Sequence, residues 1–373
     1  MKHTINAAVH TPWGHWVSHH VFWIITSAFV KPVLSTIFLV VSALHGLVLL
    51  LLGEGRVPMT GRKNMAVVVT GCDTGFGAAL APALAADGYT VFACCLKKDS
   101  MDAVRASPSF ASVCLIPVLT NVTDDGSVGS TVETVTAWLK GDKDRRLHAI
   151  VNNAGVGRGG PCDMLEMKDY HIDMEVNYFG LIRTSKAFLP LLKQTARSRS
   201  VAHRPRIINV TSVAGLTPCA FLGPYTASKH AAESFTSALR SELRGWGIDV
   251  STCNPSFHRT PLQASGATML SATWANASNE LRDEYGGDYM ERLTKGAHYL
   301  MTTNAWDPVY VTQALQHAVS ATRPRSQYLV GVDAKFILIP VKQLPSWLFE
   351  RLAMLPFLLF SLPKPAMSGK NLA

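Results

Sequence analysis

The sequence predicts an α/β fold built on a single doubly wound parallel sheet, with a transmembrane helix before it and a membrane-associated segment after it. Short apolar runs alternate with helical stretches through the middle of the chain, an arrangement typical of strand–helix–strand units. The runs are apolar almost without interruption, as strands buried on both faces must be. The predicted strands span residues 66–70, 89–96, 113–119, 148–153, 206–211, 248–254 and 327–332. The helices between them include one ending near residue 87, others over 125–140 and 168–194, and one that carries residues 225 and 229.

The composition predicts a well-packed globular chain in a reducing compartment and argues against nucleic-acid binding. Of the 373 residues, 48% are apolar and 16% are charged, so a large core is expected and disorder is not. The net charge of +9 is partly concentrated in residues 193–206, where no aromatic side chains interleave with the cations. We therefore predict a solvated surface loop there, near anionic lipid or a cofactor phosphate. The seven cysteines form no C-x-x-C pair, which favours reduced thiols.

A long apolar run near the N-terminus predicts a membrane span. Residues 33–52 carry no formal charge, and a helix of this length covers about 30 Å, the thickness of a bilayer's hydrocarbon core. Residues 21–30 are also apolar, and the two runs together are too long for the core of a signal peptide. Cations are denser after the span than before it, which places the main domain on the cytosolic side. We therefore expect residues 1–60 to anchor the protein in the membrane of the endoplasmic reticulum or, alternatively, of a mitochondrion.

The C-terminal residues 334–373 are apolar as well, but their pattern differs. Prolines and charged side chains interrupt residues 336–363, so this stretch suits a segment lying on the membrane surface better than a second span. The alternative is a C-terminal extension packed on the globular domain.

A glycine-rich turn follows the first predicted strand and opens the first helix. Gly71, Gly75 and Gly77 lie in TGCDTGFG (70–77) with the spacing G-x-x-x-G-x-G. Glycines allow a tight turn and let backbone N–H groups approach a pyrophosphate at the N-terminus of a helix, where the helix dipole favours an anion. Because the turn stands between a strand and a helix, it predicts a dinucleotide site in a Rossmann-type sheet.

Motifs in a fixed order make the region from about residue 64 to 333 resemble the classical short-chain dehydrogenase/reductase family. The glycine turn matches the family's cofactor turn, and NNAG (152–155) matches the motif that ends its fourth strand. The family's catalytic tetrad matches Asn177 in VNYFG, Ser212 in NVTSVAG, and Tyr225 with Lys229 in GPYTASKH. The cofactor turn, VFACCL and the membrane-like ends are most similar to the microsomal branch. That branch contains retinol dehydrogenases, the oxidative 17β-hydroxysteroid dehydrogenase and, more distantly, D-β-hydroxybutyrate dehydrogenase.

The resemblance implies a role for each residue of the tetrad. Tyr225 would be the general base in alcohol oxidation and the general acid in carbonyl reduction. Lys229 lies one helical turn further on the same face. Its ammonium, with the charge of an oxidised nicotinamide, would lower the pKa of Tyr225 from its usual value of about 10. Ser212 would hydrogen-bond the substrate oxygen, and Asn177 would hold a water that extends the proton relay. The simpler alternatives are that Ser212 only caps a turn and that Asn177 only kinks a helix.

The resemblance also implies a nicotinamide dinucleotide cofactor, and hydride transfer with it needs no metal. NAD is expected, with NADP as the alternative: Asp73 would repel a 2′-phosphate, whereas Lys97 and Lys98 would attract one. Asn121 stands where the family usually has an aspartate against the adenine amine, and its side-chain carbonyl could still accept that hydrogen bond. The expected cofactor-binding residues are Gly71, Asp73, Gly75, Phe76, Gly77, Cys95, Asn121, Val122, Asn153, Ala154, Gly155, Tyr225, Lys229, Pro255 and Thr260.

The substrate is predicted less sharply than the chemistry. In the resembled family the region matching about 256–304 is a mobile lid. Here it holds apolar residues that suit either a substrate pocket or a plain helical core, namely Met269, Leu270, Trp274, Tyr285, Tyr289 and Met290. We expect a small hydrophobic alcohol, steroid- or retinol-like, reached from membrane lipid. The alternatives are a small hydroxy acid held by Arg259 and a catalytically silent membrane scaffold that binds dinucleotide. The chain could also form a homo-oligomer.

Overall fold

A parallel sheet of seven strands organises the part of the chain that the structure describes. The structure is a computed structural model, and it describes residues 61–106, 114–197, 204–264, 266–302 and 305–359. The strands are β1 (Met65–Thr70), β2 (Thr90–Cys95), β3 (Leu115–Leu119), β4 (Arg146–Asn152), β5 (Arg206–Val210), β6 (Asp249–Pro255) and β7 (Gln327–Val330). Their order is β3-β2-β1-β4-β5-β6-β7, and every neighbouring pair is parallel.

Helices connect the strands. Those before β6 are α1 (Gly75–Ala86), α2 (Lys98–Ala106), α3 (Asp125–Lys140), α4 (Met167–Met174), α5 (Gly180–Arg197) and α6 (Gly223–Leu243). Those after it are α7 (Pro261–Ala264), α8 (Gly266–Asn276), α9 (Asn279–Tyr285), α10 (Gly287–Thr302) and α11 (Val309–Ser320). After β7 come a π-helical turn (Ala334–Leu338), α12 (Ile339–Lys342) and α13 (Ser346–Leu359).

Two apolar layers, one on each face of the sheet, hold the helices in place. Successive residues of β1 alternate between the layers, as the pleat of a strand requires. One layer contains Val67, Val69, Leu80, Leu84, Val311 and Leu315. The other contains Val68, Phe92, Ile150, Phe188, Leu192 and Leu239. Because the parallel sheet has an apolar layer on each face, the prediction of a doubly wound Rossmann-type sheet is confirmed.

The long helix predicted over residues 168–194 is interrupted in the structure. A π-helical turn, Glu175–Phe179, separates α4 from α5 and contains Asn177. Such turns insert one extra residue into a helix, so the apolar period continues on either side and does not reveal them. The turn rotates the face of α5 relative to that of α4 and presents Asn177 to the end of β4.

The two ends of the basic run 193–206 are not the solvated loop that the composition predicts, and residues 198–203 of the run lie outside the described residues. Lys193 lies on α5, where its ammonium stacks 3.9 Å from the centroid of the Trp246 ring. Arg206 begins β5 and is almost fully buried, with its guanidinium donating to the backbone carbonyl of Ala318 at 2.9 Å. That prediction is therefore wrong for Arg206, because a cation at the start of a central strand satisfies its N–H groups with carbonyls of a neighbouring helix.

The helices after β6 pack around a small apolar cluster of their own. Most of the large side chains predicted for a pocket or a core lie in this cluster, namely Leu270, Trp274, Tyr285, Tyr289 and Met290, together with Met164 from the loop after β4. Met269 instead lines a cavity of about 280 Å³ beside Arg158 and Gly159. The lid is thus a folded layer with one face toward the loop that follows β4.

The ends of the chain carry the membrane predictions. The N-terminal anchor (1–60), including the predicted span over 33–52, lies outside the described residues, as do residues 360–373. Among the described residues, no helix combines the length and apolar character needed to cross a bilayer. Phe336 in the π-helical turn after β7 is 74% exposed, and Trp347 in α13 is 55% exposed.

Candidate active site

The glycine turn between β1 and α1 has a shape that side chains would prevent. Gly71 and Gly75 have positive φ angles of 70° and 64°, a conformation that favours glycine. A Cβ on Gly77 would lie 2.3 Å from the carbonyl oxygen of Gly71, and one on Gly71 would lie 2.7 Å from the Cα of Ala154. Among the described residues, a Cβ added to Gly75 would meet only the side chain of Thr260 within 4 Å, at a van der Waals distance of 3.9 Å. Such a cradle at a helix N-terminus fits a dinucleotide pyrophosphate.

The NNAG motif at the end of β4 is fastened to the end of β1. The side-chain amide of Asn153 donates to the carbonyls of Thr70 at 2.9 Å and of Gly71 at 3.1 Å. The backbone N–H groups of Asn153 and Ala154 both donate to the hydroxyl of Thr70 at 3.0 Å. The side chain of Asn153 therefore shapes the glycine turn, and this role explains why both motifs occur together.

Asp73 and Cys95 lie where β2 ends. The carboxylate of Asp73 accepts from the backbone N–H groups of Leu96 and Lys97, both at 2.9 Å. Its charge is thereby held at the position where the second strand of this fold meets a dinucleotide ribose. Cys95 is fully buried, and burial, followed by the charge of Asp73, raises the pKa of its thiol to about 11. The side chain of Cys95 thus packs in one of the two apolar layers, and its predicted role in binding the cofactor stays a prediction.

The loop after β3 is held by its own hydrogen bonds. The side-chain carbonyl of Asn121 accepts from the backbone N–H and the hydroxyl of Thr123, at 3.0 and 2.9 Å. Both lone pairs of that oxygen are used, so the acceptor role expected toward an adenine amine would require Thr123 to give way. The backbone carbonyl of Val122 accepts from Arg183 at 2.8 Å.

Phe76, from the glycine turn, packs edge-on against His258 with the ring centroids 5.8 Å apart.

Asn177 is fixed by its side chain in the π-helical turn. Its Oδ1 accepts from the backbone N–H of Val156 at 2.9 Å, and its Nδ2 donates to the carbonyl of Val156 and the hydroxyl of Ser228, both at 2.9 Å. A Cβ on Gly155 would lie 3.2 Å from Asn177 Oδ1 and 3.5 Å from Lys229 Nζ. The end of NNAG therefore lies where two residues of the tetrad meet.

Ser212 and Tyr225 meet at the carboxyl end of the sheet. Tyr225 is in the first turn of α6, directly after Pro224, a residue that suits the start of a helix. Ser212 caps the short 3₁₀ turn Val213–Gly215 by accepting from the backbone N–H of Ala214 at 3.1 Å, and its hydroxyl donates to the carbonyl of Pro255 at 3.5 Å. It also lies close enough to Tyr225 to lower the pKa of that phenol. Capping and contact with the tyrosine are thus not alternatives for Ser212, since it does both.

The pKa values of Tyr225 and Lys229 are controlled by burial. Burial raises the pKa of Tyr225 to about 12, and the hydrogen bond from Ser212 opposes this only in part. Burial also lowers the pKa of Lys229 to about 8. The lysine Nζ donates to the carbonyl of Val210 at 3.1 Å and lies 5.7 Å from the centroid of the Tyr225 ring. Desolvation is therefore the largest influence of the chain itself on the pKa of Tyr225. The lowering expected from Lys229 together with the charge of an oxidised nicotinamide stays a prediction.

Two carboxyl groups beside the tetrad, one buried and one half-buried, were not among the predicted site residues. Asp173 lies in α4 four residues before Asn177, and burial raises its pKa to about 6. Glu233 lies in α6 four residues after Lys229 and accepts from the Thr211 hydroxyl and the Asn254 amide. The spacing of four places each on the helical face of a tetrad residue, a signal that the sequence does contain.

The substrate side of Tyr225 is lined by apolar groups. A Cβ on Gly157 would lie 3.3 Å from the Tyr225 ring and 3.8 Å from a methyl group of Leu262. Arg259, the expected carboxylate partner of a hydroxy acid, is already engaged. Its guanidinium donates to the carbonyl of Ala305 at 3.0 Å and pairs with Asp307 at 3.3 Å. A carboxylate substrate would have to compete with that pair.

Comparison with protein families gives a match over most of the sheet. The matching family is described as short chain dehydrogenase, and the match covers residues 65–270. These bounds run from the first residue of β1 into α8, so they include the glycine turn, NNAG and all four residues of the tetrad.

Comparison with individual proteins gives relatives that match most of the chain. Human retinol dehydrogenase 5 is 35% identical over 311 residues, which is 82% of this chain and 91% of the relative. Human 17-beta-hydroxysteroid dehydrogenase type 6 is 31% identical over 306 residues, 81% of this chain and 90% of the relative. A solved short chain dehydrogenase/reductase from Burkholderia phymatum, in complex with NAD, gives a TM-score of 0.60 at 22% identity. It covers 74% of this chain and 92% of its own length, and it shows the shared fold.

Proposed function

The chain belongs to the short-chain dehydrogenase family, in its retinol and hydroxysteroid dehydrogenase branch. We therefore propose that it interconverts a hydrophobic alcohol and its carbonyl. The observation that carries the proposal is the meeting of Ser212, Tyr225 and Lys229 at the carboxyl end of the sheet, beside a glycine cradle. Ligands of open α/β sheets bind at this end. The cradle fits a nicotinamide dinucleotide, which would supply the hydride acceptor or donor.

In the proposed reaction the chain's own residues orient the substrate oxygen and move its proton. Ser212 would donate to that oxygen, and Tyr225 would take its proton in oxidation or give one in reduction. With a pKa of about 12, Tyr225 is protonated at neutral pH, so it holds the proton that carbonyl reduction needs, whereas alcohol oxidation needs the scarcely populated phenolate. A positive charge near the phenol, such as that of an oxidised nicotinamide, would favour the phenolate.

The proposed substrate is an apolar alcohol such as a retinoid or a hydroxysteroid. The names of the two human relatives support it, as do the apolar contacts of Gly157 and Leu262 beside Tyr225. The hydroxy-acid alternative is weaker because Arg259 is paired with Asp307. The scaffold alternative is weaker because a protein that only binds dinucleotide has no need of Ser212, Tyr225 and Lys229 together at one end of the sheet. Incubating the purified protein with NAD or NADP and a panel of retinoids, hydroxysteroids and small hydroxy acids tests all three.

We expect NAD to bind more tightly than NADP because the Asp73 carboxylate is held by two backbone N–H groups at the expected ribose position. Titration of the protein with each dinucleotide, monitored by tryptophan fluorescence, measures the two dissociation constants. Asp73→Asn, which keeps the acceptor oxygen and removes the charge, should reduce the preference for NAD. Equal or tighter binding of NADP to the wild type would show that Lys97 and Lys98 dominate.

We also propose that the chain is attached to a membrane, with its N-terminal residues 1–60 as the anchor and its exposed C-terminal apolar side chains at the surface. The uncharged run 33–52 and the exposure of Phe336 and Trp347 support this proposal. The full chain should stay in the membrane pellet after alkaline carbonate washing, and deletion of residues 1–60 should release at least part of it. Complete release of the full chain by carbonate would contradict the spanning anchor.

A further inference from the structure

Asp173 is a buried carboxyl group beside the tetrad that the proposed reaction does not use. It lies in α4 and is fully shielded from solvent. Its Oδ2 accepts from the backbone N–H of Arg158 at 3.0 Å, whereas its Oδ1 is buried and has no hydrogen-bond partner among the described residues. A carboxylate with one unsatisfied oxygen in a buried site is costly, which makes a purely structural role a poor explanation.

Asp173 and Asn177 hold the same loop from one helical face. Asn177 makes two hydrogen bonds to the backbone of Val156, and Asp173 makes one to the backbone of Arg158, two residues further on. Gly157 lies between these fixed points and against the ring of Tyr225, where an added Cβ would come within 3.3 Å. The two side chains therefore set the distance between the loop after β4 and the catalytic tyrosine.

The charge of Asp173 acts on both titrating residues of the tetrad. A negative charge there raises the pKa of Tyr225 and also that of Lys229. The charged and titratable groups that face Asp173 come from the loop after β4, from its own helix and from α6: Arg158, Asp169, Lys229 and Tyr225, with Glu233 and Cys219 acting on the last two. Arg158 and Lys229 favour the carboxylate form of Asp173, while burial and Asp169 oppose it.

We propose that Asp173 is a positioning residue of this site: its carboxylate holds residues 156–158 against Tyr225, and its charge raises the pH at which Tyr225 releases its proton. The proposal rests on the proposed function of Tyr225. While Asp173 is ionised, its negative charge adds to the effect of burial in disfavouring the phenolate form of Tyr225.

Asp173→Asn separates charge from geometry, because an amide oxygen can still accept from the N–H of Arg158. The rising limb of the pH profile of alcohol oxidation, and the falling limb of carbonyl reduction, should both move to lower pH by roughly one unit. The direction does not depend on which group titrates first, since loss of the negative charge lowers the pKa of both Tyr225 and Lys229. Glu133→Gln, which removes an exposed carboxylate from α3, is the matched control and should leave both limbs in place.

Two more variants and a spectroscopic measurement complete the test. Asp173→Val removes the acceptor as well as the charge, so it should raise KM more than Asp173→Asn does while shifting the limbs in the same direction.

If the protein turns over no alcohol, the proposed function fails, yet the inference can still be decided without turnover. The phenolate absorbance of Tyr225, isolated by subtracting that of the corresponding Tyr225→Phe protein, should appear at lower pH in Asp173→Asn than in the wild type. Unchanged limbs and an unchanged phenolate titration in Asp173→Asn would overturn the inference.

Discussion

Replacing Tyr225 with phenylalanine should lower turnover by about 10²–10⁴-fold, the usual contribution of general acid–base catalysis, and leave the fold intact. The ring keeps its packing at the start of α6, and the substitution removes only the hydroxyl that Ser212 contacts. Dinucleotide binding should also survive, because the glycine turn is not touched. The loss should therefore appear in kcat rather than in the dissociation constant of the dinucleotide.

The control for Tyr225→Phe is the same change at an exposed tyrosine. Tyr310 lies in α11 and is 52% exposed, so Tyr310→Phe should keep wild-type turnover and wild-type thermal stability. Steady-state rates and dinucleotide titrations of the two variants make the comparison. A Tyr225→Phe protein that binds dinucleotide and turns over at nearly the wild-type rate would show that another group moves the proton.

Replacing Gly77 with alanine should weaken the dinucleotide site and destabilise the fold. The new methyl group would lie 2.3 Å from the carbonyl oxygen of Gly71 and 2.6 Å from the Asn153 amide nitrogen that supports the turn. The first contact is with backbone and cannot be relieved by a rotamer change, so the turn itself must move. We expect the free energy of unfolding to fall by about 1–3 kcal/mol, as overpacking typically costs. The dinucleotide dissociation constant should rise by at least about tenfold, which corresponds to about 1.4 kcal/mol.

Gly129 provides the matched control for Gly77. It lies within α3, where a Cβ would meet no atom within 4 Å. Gly129→Ala should therefore be neutral or stabilise the protein by up to about 1 kcal/mol, because alanine loses less conformational freedom in a helix. Chemical denaturation and dinucleotide titration of both variants test the prediction. A Gly77→Ala protein with wild-type stability and affinity would contradict the tight packing of the turn.

The sheet could be predicted from the sequence because strands that are buried on both faces consist almost entirely of apolar residues. Each predicted strand overlaps an observed one, and α3 begins and ends where its pattern predicts. The π-helical turn at Asn177 was not predictable, since one inserted residue changes the direction of a helix without changing its apolar character. The burial of Arg206 was missed for a related reason: its carbonyl partners lie in residues 318 and 321, far along the chain.

In the candidate site too, features that depend on local motifs could be predicted, whereas features that depend on contacts between distant residues could not. The order of the motifs predicted that Ser212, Tyr225 and Lys229 belong together, and the structure does bring them together. The motifs could not reveal that Arg259 is engaged by Asp307 or that burial raises the pKa of Tyr225. Both depend on the three-dimensional surroundings of a side chain. Asp173 is intermediate, because its spacing from Asn177 was visible but its burial was not.

Transfer of a labelled hydride is the most direct test of the central claim that this chain oxidises alcohols with a nicotinamide dinucleotide. The purified protein is incubated with oxidised dinucleotide and a retinoid or hydroxysteroid alcohol that carries deuterium on the carbinol carbon, and the dinucleotide is then analysed by mass spectrometry. We expect the wild type to form reduced dinucleotide that carries one deuterium. Tyr225→Phe should form it at least about 10²-fold more slowly. A protein that binds the dinucleotide but forms no labelled product from any alcohol would contradict the account and leave a dinucleotide-binding scaffold in its place.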